Sequence, residues 1–341
     1  MNLFDEICSY KNLVHAWRAA SRNKGTHRNV LVFASRLQEN LISIRDELRA
    51  GTYRPGRYHE MIVYEPKKRV IRSLPFRDRV VQHAIYDVVR ERFERSMIAD
   101  SYACRIGKGA QRGMLRLQSF LRRKGKGAFV LKGDVHHFFA SVNHEALLRL
   151  LSRKVKDKRV LALFRLFLPA GGVGIPIGNL MSQLYANVTL DALDHYVKDT
   201  LGVKCYARYM DDFVMVLSSR EEAERILTRV RGFLGGFLHL SLNRKTQIFP
   251  EAQGVNFLGY LVTFDHVRIR HETVKRVKQK IAKYWHDFYH SGRAHWRGWF
   301  MSFLGLAKWA NCRSIEQALW RRLGDESEDF PGMGVLLRTA C

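Results

Sequence analysis

The chain has 341 residues, with 58 Lys and Arg against 32 Asp and Glu, a formal net charge of +26. Its 46% hydrophobic and 26% charged residues can bury a large core, which excludes a disordered basic tail or a coiled coil. No run of about 18 uncharged apolar residues occurs, and the polar start MNLFDEICSYKN lacks the basic-then-apolar plan of a signal peptide. A soluble, cytoplasmic protein of two or three lobes, without a membrane partner, is expected.

Residues 1–50 read as helices, with Leu31, Phe33, Leu37, Leu41, Ile44 and Leu48 at three-to-four spacing and Gly51 closing the run. Residues 58–75 hold β-branched and aromatic residues in short basic runs, interrupted by Pro66 and Pro75, as in a strand pair with a positive tip. A helix from about Asp78 to Arg95 follows. GAFVLKGDVHHFF reads as a buried strand ending at Asp134, and the helix after it is capped by Asn143. Pro176 and Gly178 precede a helix with Leu180, Leu184, Val188, Leu190 and Leu193 on its apolar positions. KCYARY and FVMVLS then flank Met210-Asp211-Asp212, a hairpin with carboxylates at its tip. After a helix over 221–238, SLNRKTQIF and VNFLGYLVTF read as strands. Residues 272–290 form an amphipathic helix with Val274, Val277, Ile281, Tyr284 and Phe288 inward and Lys275, Arg276, Lys278, Lys280 and Lys283 outward. Trp296, Trp299 and Trp309 read as core. The five cysteines are scattered with no CxxC pair, so they read as buried or incidental thiols.

Net charge is +15 over residues 1–130, +5 over 131–260 and +6 over 261–341. A field of this size attracts a polyanion and favours nucleic acid through counterion release. A membrane surface is disfavoured because the basic clusters KKRVIR, RKGKG and SRKVKDKR are separated by apolar segments rather than gathered on one helix. In the least basic third, Asp134 at a strand end and Asp211-Asp212 at a hairpin tip supply three acids from one sheet. Such a set holds two Mg²⁺ ions about 3.5–4 Å apart, the clamp for phosphoryl transfer. His136, His137 and His144 lie nearby, but neighbouring strand positions face opposite ways, which argues against a shared histidine ligand set.

Tyr209-Met210-Asp211-Asp212 resembles the YxDD box of reverse transcriptases. The other motifs arrive in order. EPKKRVIRSLPFRDRVVQHA at 65–84 resembles the fingers, DVHHFFASV the first palm motif and IPIGNLMSQ at 175–183 the template and nucleotide helix. Asn243 and Lys245 in LSLNRKT resemble the fourth motif, and Phe257-Leu258-Gly259-Tyr260 the primer grip. The resemblance implies an α+β right-hand polymerase with fingers, an RRM-like palm with an antiparallel sheet, and a helical thumb. The expected division is an N-terminal helical extension over 1–50, fingers over 51–130 with part of 145–175, palm over 131–260, and thumb and tail over 261–341. Asp134, Asp211, Asp212 and Lys245 would be catalytic, with Asp134, Val135, Asp211 and Asp212 binding two Mg²⁺ ions and Mn²⁺ as an alternative. Lys67, Lys68, Arg72, Phe139, Ile177, Gly178 and Gln183 would bind the nucleotide. Within that set the arginine and lysines would neutralise triphosphate and Phe139 would exclude a 2′-hydroxyl, while Lys245 of the catalytic set would protonate pyrophosphate.

The chain ends soon after the thumb, so nuclease activities are expected from other proteins. Many reverse transcriptases carry Gln-Gly and Ser-Pro around the nucleotide pocket, where this chain has Ile177-Gly178 and Ser182-Gln183. That exchange resembles the enzymes of diversity-generating retroelements, which copy a template-repeat RNA and misincorporate opposite adenine. Replacing an amide by Ile177 removes hydrogen-bonding capacity from a pocket that should hold the base pair rigidly. Met181 and Asn143 depart from the pattern of that group, where Thr and Asp are usual. The resemblance implies a template-repeat RNA, an RNA–cDNA duplex, dNTPs and an oligomeric accessory variability protein as partners. Alternatives are an accurate reverse transcriptase of intron, retron or defence type, and a non-catalytic RNA-binding scaffold.

Overall fold

The computed structural model describes residues 2–64, 68–277, 279–280 and 297–311. They divide into two compact units: Met1–Lys108 with Lys132–Phe213 and Arg225–Gln247, and Gly109–Leu131 with Val214–Glu224 and the chain from Ile248 onward. No described helix is long and apolar enough to cross a membrane.

The first unit opens with α1 (Leu3–Ile7), α2 (Tyr10–Ser21), α3 (Arg28–Ser35) and α4 (Leu37–Ala50). Ser9 caps α2 through its hydroxyl, and Gly51 ends α4 in the left-handed region at φ 70°, where the missing Cβ removes the steric cost. The apolar run read as continuous is split at Arg36 between α3 and α4. The break rotates the register, so Phe33, Leu41, Ile44 and Leu48 are buried while Leu31 is 55% exposed. The long helix α5 (Phe76–Glu94) buries Val80, Val81, Ala84, Ile85 and Val89, and α2 and α10 (Leu180–His195) both pack on it. Helix α10 also packs on α8 (His144–Lys154), which Asn143 caps by accepting the Ala146 N–H at 2.9 Å. Strands β1 (His59–Val63) and β2 (Arg69–Ser73) form an antiparallel hairpin that pairs Glu60 with Arg72.

A four-stranded sheet has the order β4 (Tyr206–Tyr209), β5 (Asp212–Leu217), β3 (Phe129–Asp134), β6 (Gln247–Pro250). Tyr206, Ala207 and the residues from Phe213 to Leu217 are buried, which explains their apolar composition. Gly133 is required where β3 carries Asp134, because a Cβ there would overlap the Phe213 ring. Helix α11 (Arg220–Phe233) follows, continued by a π-helical turn over Leu234–Leu238.

In the second unit, α6 (Ala110–Lys124) ends on Arg122-Arg123-Lys124, cations suited to the negative end of the helix dipole. Arg122 Nε donates to the Phe264 carbonyl at 3.1 Å. The stretch read as one strand is a hairpin: β7 (Val255–Phe257) and β8 (Tyr260–Val262) are joined by Leu258 and Gly259 at φ 54° and 92°, the positive-φ pair of a tight turn. Strand β9 (Val267–Ile269) extends it antiparallel. Residues 271–277 are helical, with Val277 buried and Lys275 and Arg276 exposed; Lys278, Ile281, Lys283, Tyr284, Phe288 and Trp296 lie outside the described residues. Helix α12 (Arg297–Ala307) joins Phe303 and Ala307 to a cluster with Ile269 and Val277. Trp309, expected in the core, is 42% exposed because α12 has already ended. Cys8 and Cys205 are buried and Cys104 is exposed, all as free thiols.

Helices and antiparallel strand pairs together make the chain α+β.

Candidate active site

The acids sit on a hairpin that needs a strained turn. Met210 takes φ 54°, an outlying conformation for a bulky side chain, between β4 and β5. Arg208, two residues earlier, is fully buried and holds that turn. Its Nε and Nη2 make a two-pronged ion pair with Asp194 of α10, both at 2.7 Å, and its Nη1 donates to the Met210 carbonyl at 3.0 Å. Nη2 also donates to Ser101 Oγ at 3.1 Å, and the Tyr206 hydroxyl donates to Asp194 Oδ1 at 2.6 Å. Burial pulls the Arg208 pKa down, but Asp194 beside it holds the guanidinium charged and above its ordinary value. Neither residue was singled out from sequence. The available signal was two opposite charges at positions otherwise apolar, Arg208 between Tyr206 and Met210 and Asp194 beside Leu193.

Asp134 is tied from the other side. The Asn243 Nδ2 donates to Asp134 Oδ2 at 3.0 Å, the Asn243 N–H donates to the Asp134 carbonyl at 2.7 Å, and Asn243 Oδ1 accepts the Lys245 N–H at 3.1 Å. The Val135 N–H meets the Asp211 carbonyl at 3.4 Å, which joins the two acid-bearing turns through the backbone.

The Asp211 pKa is pushed up to about 6, by burial first, then by the charges of Asp134 and Asp212 and by the hydrogen bond its carboxyl shares with Asp134. Asp134 and Asp211 are therefore brought together. Among the described residues, no group of three or more His, Cys, Asp or Glu side chains is already closed into a metal cage. Asp212 opens β5 directly after the turn, near enough for its charge to act on Asp211. The donors present are hard oxygens, and Asp211, its pKa raised by burial and by neighbouring acid charge, lacks a compensating positive charge; both features fit a divalent cation such as Mg²⁺.

A second group of expected residues meets at the β1–β2 hairpin. The Arg72 N–H donates to the Ile177 carbonyl at 2.8 Å. Gly178, at φ 110°, lies so close that a Cβ would come 2.7 Å from Ile71 Cγ2 and 3.1 Å from the Arg72 carbonyl. The same loop is zipped to Phe139, whose carbonyl accepts the Ile175 N–H at 2.7 Å. Arg72 is exposed and its Nε pairs with Glu60 at 2.8 Å, a contact the sequence did not suggest. Lys68 and Lys245 are exposed, and Lys67 lies outside the described residues. Gln183 lines a small cavity with Tyr86, Arg90 and Asn187.

His136 and His137 follow the strand rather than occupy it, so their rings meet edge to face at 4.2 Å instead of facing apart. His144 is spent internally, its Nε2 lying 2.6 Å from the Gly174 carbonyl. In the second unit, Phe257 and Tyr260 are buried as a cross-strand pair, the Gly259 carbonyl accepts the Arg270 N–H at 3.1 Å, and the Tyr260 hydroxyl donates to the Leu306 carbonyl at 3.1 Å.

Known proteins resemble this chain in sequence and in fold. The chain is 27% identical over 303 residues to protein YkfC of Escherichia coli, covering 73% of this chain and 79% of that protein. It is 23% identical over 316 residues to the group II intron-encoded protein LtrA of Lactococcus lactis, covering 70% of this chain but only 51% of LtrA, so it spans about half the length of that relative. Among solved structures, the apo telomerase of Candida tropicalis superposes with a TM-score of 0.50 at 10% identity, over 63% of this chain and 49% of that one, a likeness of fold. The family model described as reverse transcriptase (RNA-dependent DNA polymerase) matches residues 64–262, more than half of the chain. With its motifs in order and its paired acids on a strained hairpin, the chain belongs to the reverse transcriptase family, the nucleotidyltransferases that build DNA on an RNA template.

Proposed function

We propose that the chain copies a template-repeat RNA into cDNA with errors at adenine, as an enzyme of the diversity-generating retroelement type. The observation that carries the polymerase part is the pairing of Asp134 with Asp211 on the Arg208-braced turn. Asp134, Asp211, Asp212 and the Val135 backbone would hold Mg²⁺, with Mn²⁺ as the alternative. When bound, a pair of such ions activates the primer hydroxyl and neutralises the leaving pyrophosphate. Around it, Arg72 with Lys67 or Lys68 binds the triphosphate, Phe139 abuts the sugar and selects dNTPs, and Lys245 gives a proton to pyrophosphate. Ile177, Gly178 and Gln183 shape the nucleotide pocket, and Phe257, Leu258, Gly259 and Tyr260 support the primer strand of the RNA–cDNA duplex. An oligomeric accessory variability protein is the expected partner.

Ile177 in place of an amide supports the mutagenic part. Primer extension on an RNA template with Mg²⁺ tests the polymerase part: the native chain extends, and Asp211→Asn loses about 10²- to 10³-fold or more in rate. Equal synthesis by both overturns it. Sequencing the cDNA tests the mutagenic part, with errors concentrated opposite adenine and reduced by Ile177→Gln. The intron-encoded relative favours a second reading, an accurate reverse transcriptase of group II intron type. Errors spread evenly over the four template bases would select it.

A further inference from the structure

A cavity of about 450 Å³ opens in the first unit between α8, α10 and α11, and none of the site residues above lines it. Its walls include Tyr196, Phe233 and Phe237, which form a ladder of rings: Tyr196 stacks on Phe233 at 4.2 Å and 9°, and Phe233 on Phe237 at 5.2 Å and 26°. Both helices that supply the ladder leave regular α geometry there. Tyr196 begins a π-helical turn over Tyr196–Thr200, and Phe237 lies in the one over Leu234–Leu238. Such turns are rare and concentrate at functional sites.

The rim is cationic. Arg149 and Arg153 of α8 are exposed and place their guanidinium carbons 5.9 and 5.7 Å from the Phe237 ring centre. Among the described residues neither has a carboxylate in ion-pair reach, so their charge is not spent internally. Lys154 lines the same cavity. The inner wall carries hydrogen-bonding groups. His195 Nδ1 lies 2.6 Å from Asp199 Oδ2 and its Nε2 2.9 Å from the Ser96 carbonyl. Both partners are acceptors; burial lowers the imidazole pKa, and these hydrogen bonds raise it against that effect. Asp191 keeps one carboxylate oxygen without a hydrogen bond, 3.7 Å from His195 Nε2. Stacked rings beside unpaired arginines, with an acceptor deeper in the wall, form a binding platform for single-stranded nucleic acid.

We propose that this cavity takes one base of a single-stranded RNA against the Tyr196–Phe233–Phe237 ladder, with the flanking phosphates on Arg149 and Arg153. The assignment to RNA rests on the polymerase reading, because the template is the long single strand such an enzyme holds. The cavity then anchors template outside the region being copied.

The test uses the full chain and a fluorescein-labelled 12-nucleotide RNA, with saturating unlabelled template–primer duplex to occupy the copying site, read by anisotropy. Phe237→Leu, which keeps an apolar side chain, is expected to weaken binding roughly 5- to 100-fold. Arg149→Glu with Arg153→Glu should weaken it by about tenfold or more and flatten its salt dependence. A loss with the arginine changes but none with Phe237→Leu overturns the base pocket, as does no loss with either. Photocrosslinking of 4-thiouridine RNA to the native chain needs no variant: crosslinks within 191–200 or 233–237 support the site, and crosslinks confined elsewhere overturn it. If adenosine monophosphate competes as tightly as the strand, the site takes free nucleotide and the strand proposal falls. Asp211→Asn, inactive on the polymerase reading, should bind the RNA like the native chain. Failure of the native chain to extend a primer would therefore sink that reading while leaving the binding result standing.

Discussion

The acid hairpin and the β1–β2 hairpin are both expected to face the nucleotide, yet they are built in opposite ways. Around Asp211 the bracing groups are committed: Arg208 to Asp194, Ser101 and the Met210 carbonyl, and Asn243 to Asp134 and Lys245. The guanidinium holding the turn is fully buried, so its geometry is fixed before any substrate arrives. Around Arg72 the side chains face water, and the guanidinium rests on Glu60 in an exposed pair that a triphosphate can displace at small cost. On the proposed roles, the groups that would sit within tenths of an ångström of the reacting atoms are braced from the core, whereas those that would capture a mobile anion are left in solvent.

The contrast is broken most directly by removing Asp194. Asp194→Ala leaves Arg208 charged, buried and uncompensated, and should cost about 3–5 kcal/mol of stability in a denaturant melt. Asp194→Asn keeps the shape and should cost less, with kcat falling more than nucleotide KM because the turn, not substrate binding, is disturbed. A loss on Asp194→Ala no larger than that of an exposed pair would refute the brace.

Next in size, Arg72→Ala should raise nucleotide KM by about 10- to 100-fold, the value of a charge-assisted hydrogen bond, with melting temperature nearly unchanged. A fall in kcat alone would remove Arg72 from triphosphate binding.

The third effect concerns pH. Asp211 binds its proton more tightly in the fold, at about 6 against an ordinary 3.8. Its contribution to stability is therefore greatest in acid and is lost as pH rises from about 4 through 6. Asp211→Asn should abolish that decline, leaving the variant more stable than the native chain at pH 7 and no more stable near pH 4. Divalent-ion affinity of the native chain, read by calorimetry, should fall about tenfold per pH unit below 6, since the ion competes with that proton.

The smallest effect falls on the exposed pair. Glu60→Gln should change stability by no more than about 0.5 kcal/mol and should lower nucleotide KM, because Arg72 is no longer held. An increase in KM would mean that Glu60 positions Arg72 rather than restrains it.

What sequence could reveal follows the same division. Asp211-Asp212 stood out because two charges interrupt apolar strands, and Asp134, Asn243 and the 175–183 segment followed from motif order. Arg208 did not, because its partner Asp194 lies fourteen residues earlier on another element, and local periodicity carries no information on such a pairing. The turn at Leu258-Gly259 was hidden for another reason: apolar residues on both sides gave one continuous run, and only the backbone dihedrals divide it. The helix break at Arg36 carries neither Gly nor Pro, which left Leu31 on the wrong side of the count. The aromatic ladder at Tyr196 was invisible because π-helical turns shift the register that a 3.6-residue period assumes.

Asn243 uses a single planar amide for two clients, its nitrogen for the Asp134 carboxylate and its oxygen for the Lys245 N–H. A rotation that lets the nitrogen follow the carboxylate withdraws the oxygen from the amide on the far side. On the proposed reading, the acid that would meet the incoming hydroxyl and the lysine that would meet the departing phosphate share this one pivot.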